Sequence, residues 1–258
     1  MSRELARLAA ITTFSVRGSL GGFRALGLAA VAAIPSLIAF AVVSAHPVPH
    51  ALSDAVEGLV SSLTIPIVAM VIVLVIAVGQ FRNEIDAETL VYLSDRSVAR
   101  STIVAGKYLG AVVVSLLFVL PAALVPLAIA AGGGGTPYPV AVPVAVAGAT
   151  ALAVMVYVGF FLLLGLVSRY ALLIGLLFGF VWEELIPFLP GDAPRLTVVY
   201  YLRSFLAGVL TNGPLSGYSR GVSVIAAVAT LLVVTLVLVA AAAVFFRTIE
   251  TAPERESA

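Results

Sequence analysis

The chain has 258 residues, of which 62% are hydrophobic and only 10% are charged, and it contains no cysteine. A soluble globular domain carries about 25% charged residues, so this composition excludes a water-soluble globular protein. The lack of cysteine excludes disulfides, thiolate metal sites and cysteine nucleophiles. The formal net charge of +1 is uninformative until the charges are placed along the chain.

The N-terminal segment predicts an amphipathic helix that lies in the membrane interface. Apolar or small residues share one helical face and arginines supply positive charge, which is typical of such helices. The face comprises Leu5, Leu8, Ala9, Thr12 and Val16, and the arginines are Arg3, Arg7 and Arg17.

Six apolar segments are long enough to cross a bilayer core about 30 Å thick, and each must be helical there to satisfy its own backbone groups. They run over Ala25–Ala45, Gly58–Gln80, Tyr108–Ala131, Val140–Val167, Tyr170–Phe188 and Val222–Phe246. The sequence therefore predicts a single all-α transmembrane domain over residues 1–258. Only a few residues around Arg169 separate the fourth and fifth segments, which indicates a tight hairpin or one long bent helix.

The distribution of lysine and arginine predicts that both termini are cytoplasmic. With that orientation the inner segments hold 11 basic residues and the outer segments hold 3, as the positive-inside rule requires. We therefore expect a multi-pass protein of the cell membrane.

The segment between the second and third spans, Phe81–Lys107, carries eight of the chain's charged residues. A connection without a further role can be much shorter, so this segment is predicted to form a short helix, a turn, and the start of the third span. Between the fifth and sixth spans, prolines break the helix and apolar residues then recur at helical spacing from Val198 to Val209. This pattern predicts a short amphipathic or re-entrant helix on the outer side.

The sequence provides no complete enzyme site. Gly106-Lys107 is followed by Tyr108 and lacks the first glycine of a phosphate-binding loop. His46 and His50 are separated by prolines, so a zinc site on one helix is not expected. We predict no catalytic residue, no bound cofactor and no metal site.

Glu183 and Glu184 form the most unusual pair, because carboxylates near a membrane core are costly and tend to be functional. They resemble the glutamate pair of CAAX-type intramembrane proteases, but no histidine follows His50 to complete that site. Two interpretations stay open: a pair at the outer interface, or carboxylates that line an outer exit pathway.

The segment Glu84–Leu109 resembles the loop between the second and third spans of ABC-2 type permeases. The matching runs are Glu88-Thr89-Leu90, Leu93-Ser94, Arg96-Ser97-Val98-Ala99-Arg100 and Gly106-Lys107-Tyr108-Leu109. Glu88, Ser97 and Ala99 replace the glycine, proline and serine of the family pattern.

The resemblance implies a cytoplasmic coupling helix that docks on a separate P-loop ATPase subunit. The residues it assigns to that contact are Glu84, Asp86, Glu88, Thr89, Leu90, Leu93, Arg96 and Arg100. It also implies two ATPase subunits, which bind ATP and magnesium, and a second membrane subunit, identical or related. No nucleic acid is expected among the partners.

The function expected from this resemblance is ATP-driven export of a substrate, and the nearly uncharged spans favour an apolar or amphipathic one. Two alternatives come from other classes. A non-transporting membrane scaffold or sensor would need no ATPase, and an intramembrane glutamate-type protease would need further catalytic groups in the spans.

Overall fold

The computed structural model describes residues 2–45, 49–86, 100–135, 138–189, 191–210 and 221–249, and these form a helical bundle in which no strand occurs. Nine α-helices are described there: α1 Ser2–Ser19, α2 Gly22–Ala45, α3 Pro49–Leu59, α4 Ala69–Asp86, α5 Arg100–Gly132, α6 Ala141–Val167, α7 Ala171–Leu177, α8 Val198–Val209 and α9 Val224–Ile249. A π-helix, Val60–Val68, joins α3 to α4, and a second one, Phe178–Glu183, continues α7.

Five of the described helical stretches are long and apolar enough to cross a membrane, which fits a multi-pass membrane protein. They are Gly22–Ala45, Ala51–Arg82, Arg100–Gly132, Ala141–Val167 and Val224–Arg247. They correspond to the first four and the last of the predicted spans. The second and third begin earlier than predicted, because helix extends beyond the apolar core into polar residues.

The fifth predicted span, Tyr170–Phe188, is not confirmed as a full span. The apolar helix there covers only Ala171–Glu183, and a short 3₁₀ turn at Ile186–Phe188 follows. Pro187 lies in this turn, and a proline removes a backbone donor that a continuing helix would need. Ser168 has extended backbone angles, φ −129° and ψ 134°, so the junction near Arg169 is a hairpin and not one bent helix.

One end of the bundle gathers most of the basic residues, and we call it the basic end. Arg100 at the start of α5 donates from Nη1 to the carbonyl of Arg247 near the end of α9, at 3.2 Å. At the same end, Gly165 near the end of α6 packs against the backbone of Val78 in α4. The helices that begin or end here carry Arg7, Arg17, Arg24, Arg82, Arg100, Lys107 and Arg247, and the turn between α6 and α7 carries Arg169. The fold thus brings together basic residues that are distant in sequence.

We call the opposite end of the bundle the far end. There, Tyr138 connects the turn between α5 and α6 to α3. Its hydroxyl donates to the backbone carbonyl of Ser53 in α3 at 3.1 Å. Burial raises the pKa of Tyr138 to about 12, so the hydroxyl keeps its proton, and its donor role, throughout the physiological pH range. This contact holds the turn between α5 and α6 against the start of the second crossing.

Helix α1 packs along the first turns of α5. Gly106 and Gly110 lie one helical turn apart, and Ile11 and Ser15 of α1 sit directly over them. Glycines at this spacing let two helix backbones approach closely. The hydroxyl of Thr12 lies 3.3 Å from the carbonyl oxygen of Gly106.

The packed face of α1 differs in part from the predicted one. Leu8, Thr12 and Val16 are half-buried as expected, but Ala9 is exposed and Ser15 is buried. Glycine leaves room for small side chains, so the contact face follows small residues as well as apolar ones. On the opposite face Phe14 is 72% exposed. A location of α1 in the membrane interface stays a prediction.

We expect Gly110→Ala to lower stability by about 1–3 kcal/mol, the usual range for overpacking a tight contact. The added Cβ would lie 2.6 Å from Ser15 Cβ and 2.7 Å from Ser15 Oγ. The matched control is Gly27→Ala in α2, where nothing lies within 4 Å and helix propensity favours alanine. Thermal unfolding in nanodiscs measures both, and equal effects would contradict the described packing.

Candidate functional site

The structure brings the two flanks of the predicted coupling segment together at the basic end. Glu84 and Asp86 lie in the last turns of α4, and Arg100 is the first residue of α5. The other residues assigned to that contact, Glu88, Thr89, Leu90, Leu93 and Arg96, lie outside the described residues. The structure therefore describes the two flanks that anchor this segment, namely the end of α4 and the start of α5.

A buried amide connects these anchors to α1. Gln80 of α4 accepts a hydrogen bond at Oε1 from Ser15 Oγ and donates from Nε2 to Ser19 Oγ at 2.9 Å. The Ser19 hydroxyl in turn donates to the Ser15 carbonyl at 2.9 Å. All three side chains are buried, and buried polar groups need such partners because an unmade bond is expensive.

Lys107 of α5 completes the same cluster. It is only 5% exposed, its Nζ donates to the backbone carbonyl of Gln80, and it lies 4.6 Å from the centroid of the Phe81 ring. A buried ammonium is stable only with partners of this kind. We call Ser15, Ser19, Gln80 and Lys107 the Gln80 joint, since together they link α1, α4 and α5.

Arg24 at the start of α2 adds a further link to α4. Its guanidinium donates to the carbonyl of Val75 and lies over Gly79, where a Cβ would collide with the guanidinium nitrogens. A glycine at this position thus gives the arginine access to the helix backbone. Gly22, the first residue of α2, has φ of +65°, a conformation that glycine adopts at little cost.

Glu183 lies in the interior of the bundle and not in an outer loop. It is 1% exposed, and its carboxylate oxygens accept hydrogen bonds from the backbone N–H groups of Val198 at 3.1 Å and Val199 at 3.0 Å. The hydroxyl of Tyr157 in α6 donates to Oε2 at 3.4 Å. Three donors thus surround this carboxylate, two of them in the first turn of α8.

Glu184 has a different environment from its neighbour. It is half-buried, and its Oε1 is buried without a hydrogen-bond partner in the described part of the chain. The positive charge of Arg203 in α8 acts on it. The two glutamates, which the sequence presents as a pair, therefore lie in different environments. Whether either lines a pathway stays a prediction.

In the described ranges, no three His, Cys, Asp or Glu side chains come together to hold a metal ion. His46 lies outside those ranges, and His50 is the second residue of α3. The polar side chains of the Gln80 joint bind each other and the backbone, and Glu183 likewise binds backbone groups. They therefore connect helices. Hydropathy alone could not reveal these joints; an isolated amide at Gln80 and the Gly106–Gly110 spacing were their only signals.

We expect Gln80→Leu to destabilise the protein by about 1–3 kcal/mol, because it leaves the buried Ser15 and Ser19 hydroxyls without this partner. The triple variant Ser15→Ala, Ser19→Ala, Gln80→Leu should recover most of that loss, since it removes both sides of each hydrogen bond. Thermal unfolding in nanodiscs measures the difference. A triple variant as unstable as the single one would argue against the joint.

Comparison with known proteins adds no relative to this description: no protein-family model matches the chain, and no curated protein matches it significantly. The functional assignment therefore depends on the residues of the Glu84–Leu109 segment and on the helices that hold its two flanks.

Proposed function

We propose that this chain is an ABC-2 type permease, the membrane subunit of an ATP-binding cassette transporter. A separate P-loop ATPase would supply the energy, and two copies of it would assemble with this chain and a second membrane subunit. The substrate would be apolar or amphipathic and would be exported. The catalytic work would belong to the partner, with ATP and magnesium bound there.

The observation that carries this proposal is the charged segment Glu84–Leu109, which resembles the coupling loop of that family. Its flanks, the end of α4 and the start of α5, are the two elements that the Gln80 joint connects. A force applied to the segment would therefore act on α1, α4 and α5 as one body. Rigid-body movement of packed elements is a common way to transmit such changes.

The surface of the described chain is compatible with a lipid environment and a second membrane subunit. Large apolar side chains are exposed along α2, α7 and α9, including Phe40, Leu173 and Leu236. By contrast, the glycines that allow close helix approach, Gly165, Gly175 and Gly179, pack within the chain against α4. Subunit contacts would therefore use the large apolar faces.

The protease alternative is less compatible with the geometry. A catalytic glutamate must take a proton from water, but the Glu183 oxygens already accept hydrogen bonds from Val198, Val199 and Tyr157. The scaffold alternative lacks an observation in its favour. It stays an outcome of the ATPase experiment below.

We expect both termini on the cytoplasmic side of the membrane, because the basic end contains the start of α1 and the end of α9. Reporter tags at the two ends of the chain should give the same cytoplasmic signal. An epitope inserted after Pro214 should be accessible from the other side. Tags that report opposite sides would contradict both the orientation and an even number of crossings.

Co-expression with P-loop ATPase subunits from the same genome tests the function directly. An ATPase should co-purify with the tagged chain, and Glu88→Ala combined with Arg96→Ala should weaken its retention about three- to tenfold, since charged contacts across an interface are lost. The control removes an exposed ion pair at a distance from this segment, Asp192–Arg195, whose charged atoms are 3.1 Å apart. If no ATPase binds the intact chain in nanodiscs, the scaffold alternative replaces the permease.

A further inference from the structure

The break in the predicted fifth span lies deep within the bundle. Helix α6 runs from the far end at Ala141 to the basic end at Val167. Tyr157 lies 16 residues from its first residue and 10 from its last, which corresponds to about 24 Å and about 15 Å along the axis. Because Tyr157 binds Glu183, the end of the π-helix that continues α7 lies at this interior level.

Helix α7 and its π-helical extension rise from the basic end to that level. Gly175 packs against Leu74, and Gly179, one turn further on, packs against Met70. Since α4 runs toward the basic end, the earlier residue Met70 lies farther from it than Leu74 does. The direction of α7 is thus fixed by its contacts.

The first residues of α8 lie beside Glu183, at the end of the π-helix that continues α7. From there α8 runs toward the far end. Its first N–H groups, those of Val198 and Val199, bind Glu183. Phe205 then packs on Gly148, and Gly208 on Val224, the first residue of α9. The apolar helices Ala171–Glu183 and Val198–Val209 are about 20 Å and 18 Å long, so neither crosses a 30 Å core alone.

An interrupted crossing exposes backbone donors that water would satisfy in a soluble protein. The first N–H groups of a helix have no partner within that helix, and in an apolar interior each unsatisfied group is costly. At α8 these donors are satisfied by Thr197, whose hydroxyl accepts from Tyr200 N at 3.3 Å, and by Glu183 from the other side of the break.

We propose that α7 and α8 form one membrane crossing in two halves, and that Glu183 is the positioning residue that latches the halves together. Release of this carboxylate frees α8 to move separately from α7 while the other crossings stay packed. This inference depends on the helix contacts alone and is independent of the proposed transport function.

The cysteine-free chain allows a direct test with single cysteines and a small membrane-permeant thiol reagent in nanodiscs. Leu206→Cys reports on α8, where Leu206 is 2% exposed, and Ala111→Cys reports on α5, where Ala111 is 0% exposed. In the Glu183→Ala background we expect labelling at position 206 to accelerate about tenfold or more, because two charge-assisted hydrogen bonds are lost. Labelling at position 111 should change less than about twofold.

The matched control is Leu185→Ala, two residues further on, where the side chain is 60% exposed; it should leave both labelling rates unchanged. Glu183→Gln should give a smaller acceleration at position 206, since its amide keeps one acceptor oxygen but turns a donor toward the other N–H group. Unchanged labelling at position 206 in Glu183→Ala overturns the latch, as does an equal acceleration in Leu185→Ala.

If Glu183→Ala accelerates labelling at both positions, the milder Glu183→Gln and a Tyr157→Phe variant decide the question. A selective increase at position 206 in either supports the latch. No increase at that position in either variant shows that Glu183 supports the whole bundle and not the junction of α7 with α8.

Discussion

The structure depends on one constraint: inside an apolar medium, each backbone polar group must find its partner within the protein. Long helices meet it without help. Where helices begin, end or meet closely, charged side chains add hydrogen bonds to the backbone. Arg24, Lys107 and Arg100 donate to backbone carbonyls of other helices, and Glu183 accepts from backbone amides. The few charges near the core thus serve the backbone.

These contacts give the molecule two regions that differ in how tightly their helices are joined. At the basic end, α1, α4 and α5 share the Gln80 joint, and close glycine contacts reinforce it. Toward the far end, one crossing consists of two short helices, and the buried carboxylate of Glu183 joins them. The proposed transporter would need both properties: a stiff region that receives force from the ATPase and a weaker region that moves in response.

Much of this architecture was predictable from hydropathy, because a span must be about 20 residues long and nearly free of charge. Hydropathy patterns predict five of the six spans and the helices near the N-terminus and over Val198–Val209. They left the junction at Arg169 open between a hairpin and a bent helix, and the extended backbone of Ser168 decides it. The length of the fifth span could not be predicted in this way, since Leu185 and Phe188 continue its apolar run beyond the break. The cap of α8 by Glu183 was also hidden, because its acceptor lies 15 residues before Val198. The packed face of α1 was mispredicted in part because Ser15, a small polar residue, packs on Gly110 of α5.

The π-helix at Val60–Val68 has a consequence for the second crossing. In the π-helix the N–H of Ala69 bonds to the carbonyl of Thr64, five residues earlier, so each turn holds more residues than an α-turn does. Pro66, which has no N–H to give, lies inside this stretch. The crossing therefore contains spare chain length near its middle. If these turns tightened to α-helix, α3 would rotate about the helix axis relative to α4, and its side chains would face new neighbours.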